Sequence, residues 1–159
     1  MGKSDSVYFP RGLIKSVAYL ELAKRRGSSI AIWLIQQFYS RRQVKKVKSG
    51  PLVGRQGFVD MNNGKLEFTY AEAYKKGITK PRFSKAIDLV VEYGFIDIEH
   101  SGGGMLGDCS RYGISDRWRE WGTREFIEKK RPKDIRGSGF TANNWEERTG
   151  RKRRENKNR

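Results

Sequence analysis

From Leu66 to Ile114 the chain is punctuated by cap and stop residues whose order leaves few ways to fold. Leu66-Glu67-Phe68 alternates as a short strand. Thr69 then stands in N-cap position with Glu72 three residues on, the reciprocal capping box that starts a helix. Gly77 stops that helix and leaves a tight turn through Ile78. Thr79 caps the next helix, and Pro81 lies in its first turn, where a missing N–H costs little. Phe83, Ala86, Ile87, Val90 and Val91 form an apolar stripe running to about Tyr93, and Gly94 is the C′ stop. Phe95–His100 alternates as a strand, Ser101–Asp108 is a Gly-rich loop, and Cys109–Ile114 is the returning strand.

The flanks read less sharply. Residues 1–15 form an entry arm, and Ser16 caps a short helix with Val17, Leu20 and Ala23 at helical spacing, stopped by Gly27. Ser28 or Ser29 caps a second helix whose apolar positions are Ile30, Trp33, Leu34 and Phe38, widened by Ile32 and Ile35, as suits a buried helix. Arg41, Arg42, Lys45, Lys46 and Lys48 follow, either as a solvated helix end whose cations suit the macrodipole or as a stretch that contacts a polyanion backbone. Residues 49–64 carry loop signals: Gly50-Pro51, Gly54, Gly57 and Asn62-Asn63-Gly64. Asp116–Gly122 is a turn or short helix, and Thr123 caps a last helix, Arg124 to Lys130, ended by Pro132. Trp118, Trp121 and Phe126 are expected to pack on the core, with Phe140 and Trp145 left as a latch or partner contact. The division is an entry arm (1–15), a folded domain (16–128) and a basic, largely disordered tail (129–159).

Charge separates these parts. The chain carries 34 Lys and Arg against 18 Asp and Glu, a net +16. Residues 1–60 hold +9 and residues 129–159 hold +8, whereas 61–128 hold −1. A chain this basic attracts polyanions, nucleic acid first and an anionic membrane surface second. The near-neutral middle can bind one only if its cations gather on one face.

Several classes fall away. Cys109 is the single cysteine and His100 the single histidine, too few for a disulfide within the chain or an ordinary zinc site. Cys109 reads as a small buried strand residue and His100 as a strand-end surface residue. Met1–Ser6 has no apolar core of a secretory signal, and no apolar run nears the ~18 residues of a membrane span. No Ser-His-Asp set is spelled out, and the carboxylates Asp88, Glu92, Asp97 and Glu99 are neighbours in a helix and strand with one face buried, so neither an enzyme nor a cofactor is expected. The location these features imply is cytoplasmic and nucleoid-associated, or nuclear in a eukaryote.

The run Thr69-Tyr70-Ala71-Glu72-Ala73, then Gly77-Ile78-Thr79-Lys80-Pro81-Arg82-Phe83-Ser84-Lys85-Ala86-Ile87, then Gly94-Phe95-Ile96 resembles winged helix-turn-helix DNA-binding proteins of the small bacterial, phage and plasmid type, replication- or regulator-like. Arg111-Tyr112-Gly113-Ile114-Ser115 resembles their closing wing strand, and the apolar helix around Ile30–Tyr39 their preceding helix. The resemblance implies a mostly α fold with a small antiparallel β wing (α+β), with 66–115 as its core. It also implies a duplex-DNA partner, with helix 79–93 in the major groove. On that reading Thr79, Lys80, Arg82, Ser84, Lys85 and Asp88 face the DNA, Arg82 suits guanine, and Lys80 and Lys85 suit phosphate or guanine. Lys75 and Lys76 add to the same edge, and Arg111 reaches a phosphate from the wing strand. The Gly-rich loop is a wing tip without Lys or Arg. The alternative, a phosphate cradle, lacks the required pattern. Arg151-Lys152-Arg153-Arg154 in the tail is a backbone contact, a nuclear signal or a solvated end, the first favoured by the charge shared with the other flank.

The expected function is therefore a DNA-binding transcriptional regulator or replication accessory. An RNA-binding or ribosome-associated protein working through its basic arms is the alternative, and a protein-interaction module fits the charge less well. A homodimer through Trp33 and Phe38, or through the last helix, stays open.

Overall fold

Helix packing begins with Ser16, whose hydroxyl accepts from the Tyr19 amide at 3.2 Å and starts α1 (Val17–Lys24). In the computed structural model, which describes residues 7–46, 58–102 and 108–132, the order continues with α2 (Ser29–Ser40), β1 (Val44–Lys46), β2 (Phe58–Asp60), β3 (Leu66–Glu67), α3 (Tyr70–Lys75), α4 (Lys80–Glu92), β4 (Ile96–His100), β5 (Arg111–Ile114) and a 3-10 turn (Arg117–Glu120). The described residues are thus mixed α+β, four α-helices with two small antiparallel sheets. One sheet is the β1–β2 ribbon, and the other runs in the order β3-β5-β4. Leu66 lies opposite Tyr112, and Ile96 opposite Ile114, with a register shift between Ile98 and His100.

The core is aromatic at its centre. Phe68 stands between Trp33 (ring centroids 5.6 Å), Phe38 (6.3 Å) and Phe83 (5.4 Å), so the β3–α3 junction is pinned against both α2 and α4. Phe38 in turn meets Tyr112 of β5 at 5.1 Å. Phe83, Ile87 and Val90 are buried on the inner side of α4, which packs on α2. Each such side chain contributes about 1.5–3 kcal/mol by leaving water. A second cluster closes the far end, where Trp118 stacks on Phe95 and Trp121 on Tyr93. Phe126 is half-buried beneath the Arg117 guanidinium.

Several expectations change. In α1 the buried residues are Ala18 and Leu22, while Val17 (61%) and Leu20 (49%) are exposed and Ala23 faces solvent. From Phe9 to Leu13 the entry arm belongs to the packed body, because Leu13 is fully buried and the Phe9 ring lies 5.2 Å from that of Tyr39. The stretch after α2 is not simply loop. Val44–Lys46 and Phe58–Asp60 pair as strands, clamped at their base by the fork of Arg42 on Asp60 at 2.7–2.9 Å. Arg41 donates to the Glu67 carbonyl and to Glu72 and covers the Phe68 ring at 4.2 Å. Both arginines are therefore tied into the fold by carboxylates and are not simply a solvated helix end.

A further change concerns the C-terminal segment. Residues 124–130 form no helix and run on irregularly after a turn. Phe38 is fully buried and Trp33 packs edge-on to Phe68, so neither Phe38 nor a last helix presents the dimer contact expected of it. Cys109 is half-buried ahead of β5 and not in the strand, while His100 at the end of β4 lies 2.6 Å from Asp108. Among the described residues no helix is long and apolar enough to cross a membrane. The loop tip 103–107, Lys48 with the Gly-Pro stretch, Phe140, Trp145 and Arg151–Arg154 lie outside the described residues.

Candidate nucleic-acid interface

The candidate interface begins with two helix ends built the same way. The α3 helix starts on the Thr69–Glu72 capping box, with Thr69 N–H donating to Glu72 at 2.8 Å and Glu72 N–H to the Thr69 hydroxyl at 3.2 Å. Such a cap is worth about 1 kcal/mol. It ends in a Schellman motif: Gly77 N–H donates to the Tyr74 carbonyl (2.9 Å) and Ile78 N–H to that of Ala73 (3.0 Å). Gly77 sits at φ +77, which an L side chain resists. The same pair of bonds closes α4, from Gly94 to Val91 and from Phe95 to Val90, both at 3.0 Å. The first stop turns the chain directly into α4. Thr79 stands at its N-cap in extended conformation, with its side chain making no cap bond.

This turn brings Lys75 and Lys76 at the end of α3 beside Thr79, Lys80, Arg82 and Lys85 at the start of α4, all exposed. None of the five cations forms an ion pair or a side-chain hydrogen bond among the described residues, and no acidic residue occurs between Ala73 and Ile87. By contrast, the neighbouring Arg41, Arg42, Arg117 and Arg131 all have carboxylate partners. The near-neutral segment thus carries one unneutralised cationic face. The apolar side of α4 holds that face outward, since Phe83, Ala86, Ile87 and Val90 are buried.

Two expected contacts are differently placed. Ser84 is half-buried, and its hydroxyl accepts from Arg131, so it is covered. Arg111 is exposed on β5 but lies 3.7 Å from Glu67, its partner in register. An exposed pair like this is worth ~0–1 kcal/mol. Sequence reasoning misses Arg131 and Tyr74. Tyr74 is 74% exposed next to Lys75, and its place on the outer side of α3 follows from Ala73 being the buried one.

The carboxylates of this region face cations. Asp88 holds Arg131 at 2.9 Å, Glu92 holds Arg25 at 3.2 Å, and Asp97 holds Arg117 at 2.6 Å and Lys129 at 3.0 Å. Burial pushes the Asp88 carboxyl above its ordinary value, and Arg131 offsets only part of this while Glu92 adds to it. Burial also acts on Asp97, but hydrogen bonds and charge from Arg117 and Lys129 outweigh it and hold that carboxyl low. Among the described residues no group of three or more His, Cys, Asp or Glu is arranged to hold a metal ion. No protein-family model, curated protein or solved structure matches the chain.

Proposed function

We propose that the chain is a duplex-DNA-binding protein of winged helix-turn-helix type, a transcriptional regulator or replication accessory that lays α4 in the major groove. The observation that carries this reading is the unpaired cationic face formed by Lys75, Lys76, Lys80, Arg82 and Lys85. The element order β3-α3-α4-β4-β5, with the last strand between the other two, supports the fold side of the reading. Thirteen residues make α4 about 20 Å long, and the groove is ~12 Å wide, so its N-terminal half fits at base edges. Arg82 is the guanine-reading candidate, while the lysines and the Thr79 hydroxyl serve phosphates. On this reading the protein works beside the genome, nucleoid-associated in the cytoplasm or, in a eukaryote, in the nucleus.

The test is binding of the full chain to random-sequence duplex DNA and to structured RNA across a salt series. Tighter binding to the duplex with a steep salt dependence is expected. The five cations alone account for a log–log slope of up to about −4.5 if each meets a phosphate. A preference for RNA at matched salt, or binding that ignores salt, overturns the reading.

A further inference from the structure

The chain after the 3-10 turn is fixed at three points, on that turn itself, on β4 and on α4. Arg117 donates to the Ile127 carbonyl (2.9 Å), Lys129 meets Asp97 (3.0 Å), and Arg131 ends the run on Asp88. The last contact is the most elaborate. The Arg131 guanidinium forks onto both oxygens of Asp88 (2.9 and 3.1 Å), donates to the Ser84 hydroxyl, and reaches the Tyr70 hydroxyl at 3.4 Å. One side chain therefore ties the C-terminal segment to α3 and α4 at once.

Asp88 is the residue that makes this matter. It lies three residues beyond Lys85 and so on the same side of α4. Even under Arg131 its side chain keeps 47% exposure. It is the first carboxylate met along α4 after the cationic cluster. Left bare, it would repel the phosphates that the cluster attracts.

Resting on the DNA-binding reading, we propose that Arg131 is a positioning residue of the interface, which screens Asp88 and so extends the cationic face of α4 by one turn. Its role is to remove a repulsion, and it makes no base contact of its own. Bidentate geometry suits this, because the fork spends most of the guanidinium donors on protein groups.

The experiment compares R131A, D88N and D88N/R131A in the full chain, by titration against a random-sequence duplex at ~0.1 M salt, with thermal unfolding of each variant alongside. R131A is expected to bind about tenfold more weakly. D88N is expected to bind as well as the parent or better. The double variant is expected to return to within about threefold of the parent, because the repelling charge has gone. An R131A variant that binds like the parent overturns the proposal, and so does a double variant as weak as R131A. Should R131A unfold, the D88N/R131A and R131K variants decide, and both must bind near the parent level. A K80A/R82A/K85A variant separates the two readings. If it binds like the parent, the interface itself is wrong, whereas if it loses binding while R131A does not, only the screening role fails.

Discussion

Gly94 and Trp118 share a space that admits backbone and no side chain. The Trp118 amide donates to the Gly94 carbonyl at 3.1 Å, and a Cβ on Gly94 would stand 2.8 Å from that same nitrogen and 2.9 Å from the Arg117 carbonyl carbon. Gly94 also sits at φ +81 as the stop of α4. Two independent reasons thus demand glycine at the point where α4 hands over to β4. Gly94→Ala is expected to cost about 2–4 kcal/mol, the sum of left-handed strain and steric overlap. Gly77 has a similar φ of +77, but open space around its Cβ direction, so Gly77→Ala should cost only about 1–2 kcal/mol. Urea unfolding of the two variants checks the difference, and equal losses would remove the steric part of the account.

The two faces of α1 supply a second comparison. Leu22 is fully buried and Leu20 is 49% exposed, two residues apart on the same short helix. Leu22→Ala is expected to destabilise by about 2–5 kcal/mol. Leu20→Ala should stay within about 0.5 kcal/mol. Thermal unfolding in the same buffer decides, and a large loss at Leu20 would mean that its face is covered in solution.

That helix also shows where the sequence stops being legible. Eight residues make little more than two turns, and the stripes Val17/Leu20/Ala23 and Ala18/Leu22 both satisfy helical periodicity. The choice falls to distant packing, through Leu13 and the contact of α1 with the 3-10 turn. The unit from β3 to β5 is readable because its signals are local: Thr69 with Glu72, Gly77, and Gly94 each act within a few residues. The β1–β2 ribbon is not, since its strands have three residues each and its clamp joins Arg42 to Asp60 across 18 positions. Residues 124–130 have helix-forming composition, yet Arg117 of the 3-10 turn and Asp97 of β4 hold Ile127 and Lys129, and Asp88 of α4 holds Arg131 just beyond. At the site, the five cations are visible as an acid-free run. Arg131 is not, because its partners lie 43 to 61 positions away.

Asp97 predicts an acid limb of stability. Its carboxyl is held below the ordinary 3.8, with Arg117 at 2.6 Å and both side chains largely buried. A folded value below the unfolded one means that the ionised group stabilises the fold above about pH 4, and that this support drains away as pH falls through the lower folded value. Asp97→Asn is expected to lose about 1–3 kcal/mol at pH 7 by leaving Arg117 without its charge partner. The variant should then decline less steeply than the parent below about pH 4. Lys129→Ala, at a half-exposed partner, should cost no more than about 1 kcal/mol. Denaturant midpoints measured from pH 7 to pH 3 test the sign directly. A parallel decline in both proteins would assign the acid limb to other carboxylates, Glu72 first, which Thr69 and Arg41 hold low against the effect of burial.

On the DNA-binding reading the basic tail is expected to bear on affinity and not on choice of sequence. Residues 136–159 include Arg151-Lys152-Arg153-Arg154. Deleting them should weaken binding to every duplex alike and flatten the salt slope by about one for each phosphate that the tail neutralises. An unchanged slope would assign the tail to some other partner.

Arg82 and Lys75 separate reading from holding. Both are exposed, unpaired cations on the same face, but Arg82 stands in the first turn of α4 and Lys75 in the last turn of α3. A guanidinium at a helix start can fork onto one guanine, whereas an ammonium on the neighbouring helix meets phosphate as a point charge. Arg82→Ala is expected to cost about 1–3 kcal/mol on a duplex selected from a random pool and to relax the preference at one base pair. Lys75→Ala should weaken binding by a similar factor on all sequences and lower the salt slope by about one. Repeating the selection with each variant is the decisive measurement. A relaxed position with Arg82→Ala and an unaltered consensus with Lys75→Ala fixes α4 as the reader. If Arg82→Ala instead loses the same factor on selected and random duplexes, Arg82 holds a phosphate, and sequence choice must come from elsewhere on the cationic face or from the deformability of the DNA.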